Sequence, residues 1–130
     1  MESQAVQVDK ILYISGSLGL VPETGDFAGA SIKEQTEQTL KNIGAILEAA
    51  GCDYSSGKFE SYVHKNLVKN SMVKTTVLLA DMTDFDVMNN VYKQYFCKDF
   101  PARVTYQVAA LPKNARVEIE AIAVIDDARV

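Results

Sequence analysis

Histidine is almost missing from this chain: His64 is the only one in 130 residues. That excludes a histidine-rich metal site and removes the paired histidines a nuclease would favour. Cysteine is nearly as scarce. Cys52 and Cys97 lie far apart and form no Cys-x-x-Cys pair. They are read as reduced thiols in a reducing compartment, which points to the cytoplasm. There is no basic excess either, with 13 Lys and Arg against 17 Asp and Glu and a net charge of −4. Gripping a nucleic-acid backbone takes a basic field, so RNA is a possible partner but not a favoured one. No apolar run reaches the roughly 18 residues of a membrane-spanning helix. The start, Met1-Glu2-Ser3-Gln4, has neither the basic region nor the apolar core of a secretory leader. Internal repeats and low-complexity stretches are missing as well. The expectation is one domain over residues 1–130 with a real core and no membrane partner.

What is present is concentrated near the C-terminal end. Phe100-Pro101-Ala102-Arg103-Val104-Thr105-Tyr106-Gln107-Val108 and Arg116-Val117-Glu118-Ile119-Glu120-Ala121 both read as strands that carry ions. Side chains alternate along a strand. Val104, Tyr106 and Val108 therefore share one face, and Arg103, Thr105 and Gln107 the other. In the second strand Val117, Ile119, Ala121 and Ala123 oppose Glu118, Glu120, Ile122 and Val124. Leu111-Pro112-Lys113-Asn114 has turn chemistry, so the two strands are expected to pair as a hairpin. A guanidinium and a carboxylate on adjacent strands suggest a site for a small acid. Ile122 and Val124 make both faces of the second strand apolar, so the sheet needs cover on both sides, one from helices and one from another subunit.

The remaining elements follow from periodicity. Lys10 to Ser15 is a strand, and Leu18 to Val21 extends it or pairs with it. Pro22-Glu23-Thr24-Gly25-Asp26 is a turn with Gly25 at positive φ. Ser31-Ile32-Lys33-Glu34 has the form of a capping box. Behind it Ile32, Thr36, Leu40, Ile43, Ile46, Leu47 and Ala50 follow helical spacing up to Gly51. Val73 to Ala80 is a β-branched strand. Thr83 or Asp84 caps a second helix striped by Phe85, Met88, Val91, Tyr92, Tyr95 and Phe96. The order suits an α+β sandwich: a mixed sheet with two helices on one face.

Tyr13-Ile14-Ser15-Gly16, Leu47-Glu48-Ala49-Ala50-Gly51, Val73-Lys74-Thr75-Thr76-Val77, Asn89-Asn90-Val91-Tyr92, Phe100-Pro101-Ala102-Arg103 and Val117-Glu118-Ile119-Glu120-Ala121 closely resemble the RidA (YjgF) family. The resemblance covers almost the whole chain. It implies a chorismate-mutase-like fold, a homotrimer, and sites in the clefts between subunits. It implies hydrolysis of reactive imines and enamines, such as 2-iminobutanoate and 2-iminopropanoate, to 2-keto acids and ammonia. Animal members are also described as ribonucleases that inhibit translation.

By position the resemblance makes Arg103 the binder of the substrate carboxylate and Glu118 the residue that holds and polarises water. Asn89, Ser15, Gly16 and Thr105 would line the pocket. Thr105 stands where some bacterial members have cysteine, so no thiol chemistry is expected there. An imine carbon is already electrophilic, so neither a metal nor an organic cofactor is expected. Two departures stand out. Glu2 occupies the place of a pocket tyrosine that ends a Gly-Pro-Tyr-Ser segment in the family, which would shorten the first strand and leave the pocket open or more acidic. Residues 56–70 form an insertion expected to be a surface excursion. Bland readings stand beside each choice. Arg103 alone is a surface cation, Glu118 alone an ion-paired residue, and Asn89 alone a local helix contact. Glu120 reads as a structural or interface partner. The Tyr92, Tyr95 and Phe96 cluster reads as core. Three functions compete: imine hydrolysis, ribonuclease action, and a non-enzymatic small-acid-binding trimer.

Overall fold

Ser31 starts the first helix as its sequence predicts. Its hydroxyl oxygen accepts from the Glu34 N–H at 3.1 Å and its O–H donates to the Glu34 carboxylate at 2.8 Å. The helix, α1, runs Ile32–Ala49. Ile32, Thr36, Leu40, Ile43 and Leu47 are buried along one stripe. The buried threonines bond inside the helix, Thr36 to the Ile32 carbonyl and Thr39 to the Gln35 carbonyl, so neither of these two hydroxyls is left unmatched. The computed structural model describes residues 3–50, 72–96 and 100–125. Glu2, Gly51, Cys52, His64, Cys97 and the expected insertion at 56–70 lie outside them.

Five strands form one mixed sheet: β1 (Ala5–Val8), β2 (Ile11–Ser17), β3 (Met72–Leu79), β4 (Ala102–Gln107) and β5 (Val117–Val124). Their spatial order is β1-β2-β5-β3-β4. Only β3 and β4 are parallel; the other neighbours run antiparallel. The second helix, α2 (Phe85–Tyr95), follows a short 3₁₀ turn at Met82–Asp84 and connects the two parallel strands. Both helices contribute to the core that also takes Leu12, Ile14, Val77, Leu79, Val117, Ile119 and Ala121 from one face of the sheet. This is the α+β arrangement expected from the pattern.

The expected hairpin does not form. β3 lies between β4 and β5, pairing Thr75 with both Arg103 and Ala121, and Leu78 with both Tyr106 and Glu118. The segment after Gln107 does not turn back tightly. It buries Leu111 and Ala115 around a 3₁₀ turn at Pro112–Asn114 and delivers β5 to the far side of β3. Two strands with good turn chemistry between them would pair locally, but here β3 stands between them, parallel to β4 through the β3–α2–β4 crossover and antiparallel to β5. Three smaller details also differ. A four-residue strand at Ala5–Val8 pairs with β2, ahead of Lys10, where the periodicity reading began. Leu18 to Val21 is not a strand: the Asn42 amide donates to the Leu18 and Leu20 carbonyls at 3.1 and 2.8 Å, and Leu20 bridges only Phe27. Asp84 stands at the N-cap of α2 as expected, but its side chain makes no capping bond. Asp81 caps the preceding 3₁₀ turn by accepting from the Thr83 N–H at 2.9 Å. Gly25 does sit at positive φ, +74°, in its turn.

Candidate active site

β4 is inverted relative to ordinary amphipathic logic. Val104 and Tyr106 point away from the helices and are each 49% exposed, while Arg103 turns toward α2. Phe85, Asn89 and Tyr92 stand four and three residues apart on α2, which places them on one helical face. All three touch Arg103. Its Nη1–H donates to Asn89 Oδ1 at 2.6 Å. Its guanidinium carbon lies 4.7 Å from the Tyr92 ring centre and 5.6 Å from that of Phe85. The cation is thus laid over aromatic faces and tethered at one edge.

The two described arginines differ in how far the fold meets their hydrogen-bonding needs. Arg116 meets both carboxylate oxygens of Asp84 at 3.1 Å and donates to the Ala30 carbonyl at 3.2 Å. Its needs are met within the fold. Arg103 is half-buried and forms no ion pair among the described residues. A guanidinium has five donors in a planar fork suited to carboxylates. One is taken by Asn89. Beside Arg103 on the same strand face, the Thr105 hydroxyl oxygen is shielded from solvent and has no hydrogen-bond partner among the described residues. Arg103, Asn89 and Thr105 therefore form one polar cluster, a candidate half-site with hydrogen-bonding capacity unused among the described residues.

Glu118, Ser15 and Gly16 form another. Gly16 lies so close to the Glu118 carboxylate that a Cβ there would collide with it. A side chain at Gly16 would have to push the Glu118 carboxylate aside, and the register of β2 on β5 is irregular at the same place, between Ile14 and Ser17. The Ser15 hydroxyl donates to the Ser3 carbonyl at 2.7 Å, and the Ser15 N–H to the Gln4 carbonyl at 3.0 Å, which holds the N-terminal segment beside β2. Next to this end of β2 a cavity of about 440 Å³ opens between the strand and α1, lined by Gln4, Ser17, Leu18, Asn42 and Ile46 among others.

The two half-sites do not meet within one chain. Directly paired residues share a sheet face. Arg103 pairs with Thr75 and through it with Ala121, on the helix side. Glu118 pairs with Leu78 and through it with Tyr106, on the open side. The expectation of Arg103 and Glu118 on adjacent strands is thereby corrected on two counts, since β3 separates them and their side chains leave opposite faces. Phe85 and Tyr92 were not anticipated as part of the Arg103 site. Their four-and-three spacing about Asn89 was the available signal, hidden because the same residues also serve the core.

The chain matches the family model described as Endoribonuclease L-PSP over residues 3–125. It is 50% identical over 122 residues to a human protein named 2-iminobutanoate/2-iminopropanoate deaminase, covering 94% of this chain and 78% of that one. It belongs to the RidA (YjgF) family. Among solved members, RidA from the Antarctic bacterium Psychrobacter sp. PAMC 21119 superposes with a TM-score of 0.80 at 43% identity, covering 95% of this chain and 88% of that one. Escherichia coli TdcF, solved with bound serine, superposes at 0.79 with 33% identity, covering 97% of this chain and 89% of that one. The RidA fold thus accounts for the mixed sheet and its two helices.

Proposed function

We propose that the chain is a RidA-type hydrolytic deaminase that converts short 2-imino acids, such as 2-iminobutanoate and 2-iminopropanoate, to 2-keto acids and ammonia. The observation that carries the reading is Arg103: half-buried, stacked on aromatic rings, and without a carboxylate partner among the described residues. A relative half identical to this chain bears the name of that deaminase, and TdcF was solved with an amino acid bound.

The chemistry asks little of the protein. Arg103 receives the substrate carboxylate through its remaining N–H groups, and Asn89 keeps the guanidinium plane fixed. The Thr105 hydroxyl is available to the same ligand. Glu118 orients a water toward the imine carbon and takes one of its protons as the C–O bond forms. Glu118 passes that proton to nitrogen, giving a carbinolamine; a second proton then moves from its hydroxyl to nitrogen as the C–N bond breaks, the C=O bond forms, and ammonia departs from the 2-keto acid. Ser15 and Gly16 shape the backbone beside Glu118.

Because the two half-sites leave opposite faces of one sheet, the working site is assembled between chains, with Arg103 from one subunit and Glu118 from its neighbour. A homotrimer with cyclic symmetry satisfies this three times over. Val6, Tyr13, Val104 and Tyr106 are exposed on the open sheet face and support burial of that face against a second copy. A ribonuclease reading has the family description behind it and the net charge of −4 against it. A cytoplasmic location goes with the deaminase reading, supported by two cysteines without a Cys-x-x-Cys pair. Among the described residues no helix is long and apolar enough to cross a membrane.

The test couples a threonine dehydratase to the purified protein and follows keto-acid release from freshly formed 2-iminobutanoate. Release well above the spontaneous rate is expected. A rate equal to the spontaneous one, with the protein folded and oligomeric, overturns the reading.

A further inference from the structure

Thr75 sits at the centre of β3, fully buried, in the register position directly beside Arg103. Its hydroxyl shares a 2.7 Å hydrogen bond with the Tyr92 hydroxyl. Tyr92 in turn lies under the Arg103 guanidinium, 4.7 Å from ring centre to Cζ. The same ring also packs against Phe96, with ring centres 4.4 Å apart and planes tilted by 32°. Three links therefore close a triangle: Thr75 to Arg103 through the strand pairing, Thr75 to Tyr92 through the hydroxyls, and Tyr92 to Arg103 through the ring face.

Core filling alone does not explain this pair. A valine in place of the threonine and a phenylalanine in place of the tyrosine would fill the same space without burying two hydroxyls, and a buried hydroxyl is costly unless it is matched. The matched pair fixes the one degree of freedom that packing leaves loose, the tilt and depth of the Tyr92 ring. An arginine side chain is rich in rotamer entropy, and a fixed ring face below it removes part of that before any ligand arrives. We infer that Thr75 and Tyr92 are positioning residues that hold Arg103 ready for the substrate carboxylate, acting through the guanidinium and not on the substrate itself. The inference rests on the assignment of Arg103 as the carboxylate binder. Burial also raises the Tyr92 phenol above its ordinary value of 10.0, so the ring stays neutral and offers the cation a face, not a counter-charge.

The experiment measures equilibrium binding of 2-oxobutanoate, the stable keto-acid product, alongside the melting temperature and the steady-state constants for imine turnover. Thr75→Val and Tyr92→Phe are each expected to weaken binding and raise KM by about threefold to tenfold, the range of one lost hydrogen bond, with kcat held. Tyr92→Leu, which also removes the ring face, is expected to weaken binding further than Tyr92→Phe. Thr75→Ser keeps the hydroxyl and is expected to bind as wild type does. A Thr75→Val protein that melts lower yet binds 2-oxobutanoate as wild type does overturns the inference and leaves a purely structural pair. Arg103→Ala separates the two levels. If it too binds normally, the carboxylate assignment fails and the inference falls with it. If it alone loses binding, only the positioning role of Thr75 and Tyr92 is lost.

Discussion

At the scale of single residues, the difference between Arg103 and Arg116 decides more than their shared chemistry. Both were visible in the sequence, at similar places on two ion-bearing strands, and nothing local distinguished them. Folding gives Arg116 the Asp84 carboxylate and leaves Arg103 with an amide oxygen and two rings. Removal of Arg103 is therefore expected to act on binding. Arg103→Ala should cost about 2–5 kcal/mol of affinity for a 2-keto or 2-imino acid, measured as a rise in KM or Kd. Arg103→Lys should recover only part of it, because an ammonium has neither the planar fork nor the stacking face. Glu118→Ala should act on turnover instead, lowering kcat by about 10²–10⁴ with a smaller change in KM. Equal behaviour of both variants and wild type in the coupled imine assay would place the site elsewhere. Asn89 was legible only as one of several possibilities, since a helix asparagine bonds locally as readily as across to a strand. The roles of Thr75, Tyr92 and Asn42 were not legible at all. Each depends on a partner more than ten residues away that no pattern within its own element specifies.

Among elements, legibility followed the strength of the local signal. α1 announces itself through Ser31, Glu34 and a stripe from Ile32 to Leu47, and it forms as read. β3 is a run of β-branched residues, and it forms as read. β1 is four residues with three of them exposed, too short and too wet to stand out from its surroundings. The pairing of β4 with β3, and not with β5, is a topological outcome that the turn chemistry at 111–114 pointed away from. Lys113 and Asn114 there both adopt positive φ, +55° and +58°, yet the turn joins strands that are not neighbours. α2 carries a consequence for pH. Core burial, and then the Glu37 carboxylate, pushes the Tyr95 phenol up to about 12 from an ordinary 10.0. Between those values the folded chain keeps a proton that the unfolded chain has lost. Stability is then fully present below the unfolded value and declines as pH climbs through that window. The urea midpoint is expected to fall between about pH 10 and about pH 12 in wild type, and to fall less in Tyr95→Phe, which has no proton to lose. Parallel declines in the two proteins would remove Tyr95 from the account. The Tyr92 phenol is raised too and leaves a residual slope in the variant.

For the whole molecule, the sheet presents one problem and one opportunity. Its open face carries Tyr13, Ile122, Val104 and Tyr106 together with Lys74, Thr76 and Glu120, and a hollow of about 270 Å³ lies among Tyr13, Lys74, Glu120 and Ile122. A lone chain of 14.3 kDa leaves this surface in water. The same face carries Glu118, while Arg103 leaves the other. Sequence alternation alone placed each residue on the correct face of its own strand. It could not relate the two faces, because the mutual orientation of β4 and β5 depends on β3 running between them. A site shared between subunits makes a prediction that a site within one chain does not. Arg103→Ala and Glu118→Ala proteins should each fall far below wild type toward 2-iminobutanoate held at a concentration that does not saturate the Arg103→Ala protein. When the two are refolded together in equal amounts, random assembly gives about a quarter of the interfaces an intact Arg103 from one chain and an intact Glu118 from the next. Activity is expected to return to about that fraction of the wild-type rate, and to disappear if the two proteins are merely mixed without exchange of subunits. Were both residues to serve the same active site from the same chain, every site in the mixture would lack one of them and refolding would restore nothing. Sedimentation of the refolded sample closes the argument: recovered activity must travel with the oligomer, and a clean species at the single-chain mass would rule out any shared site.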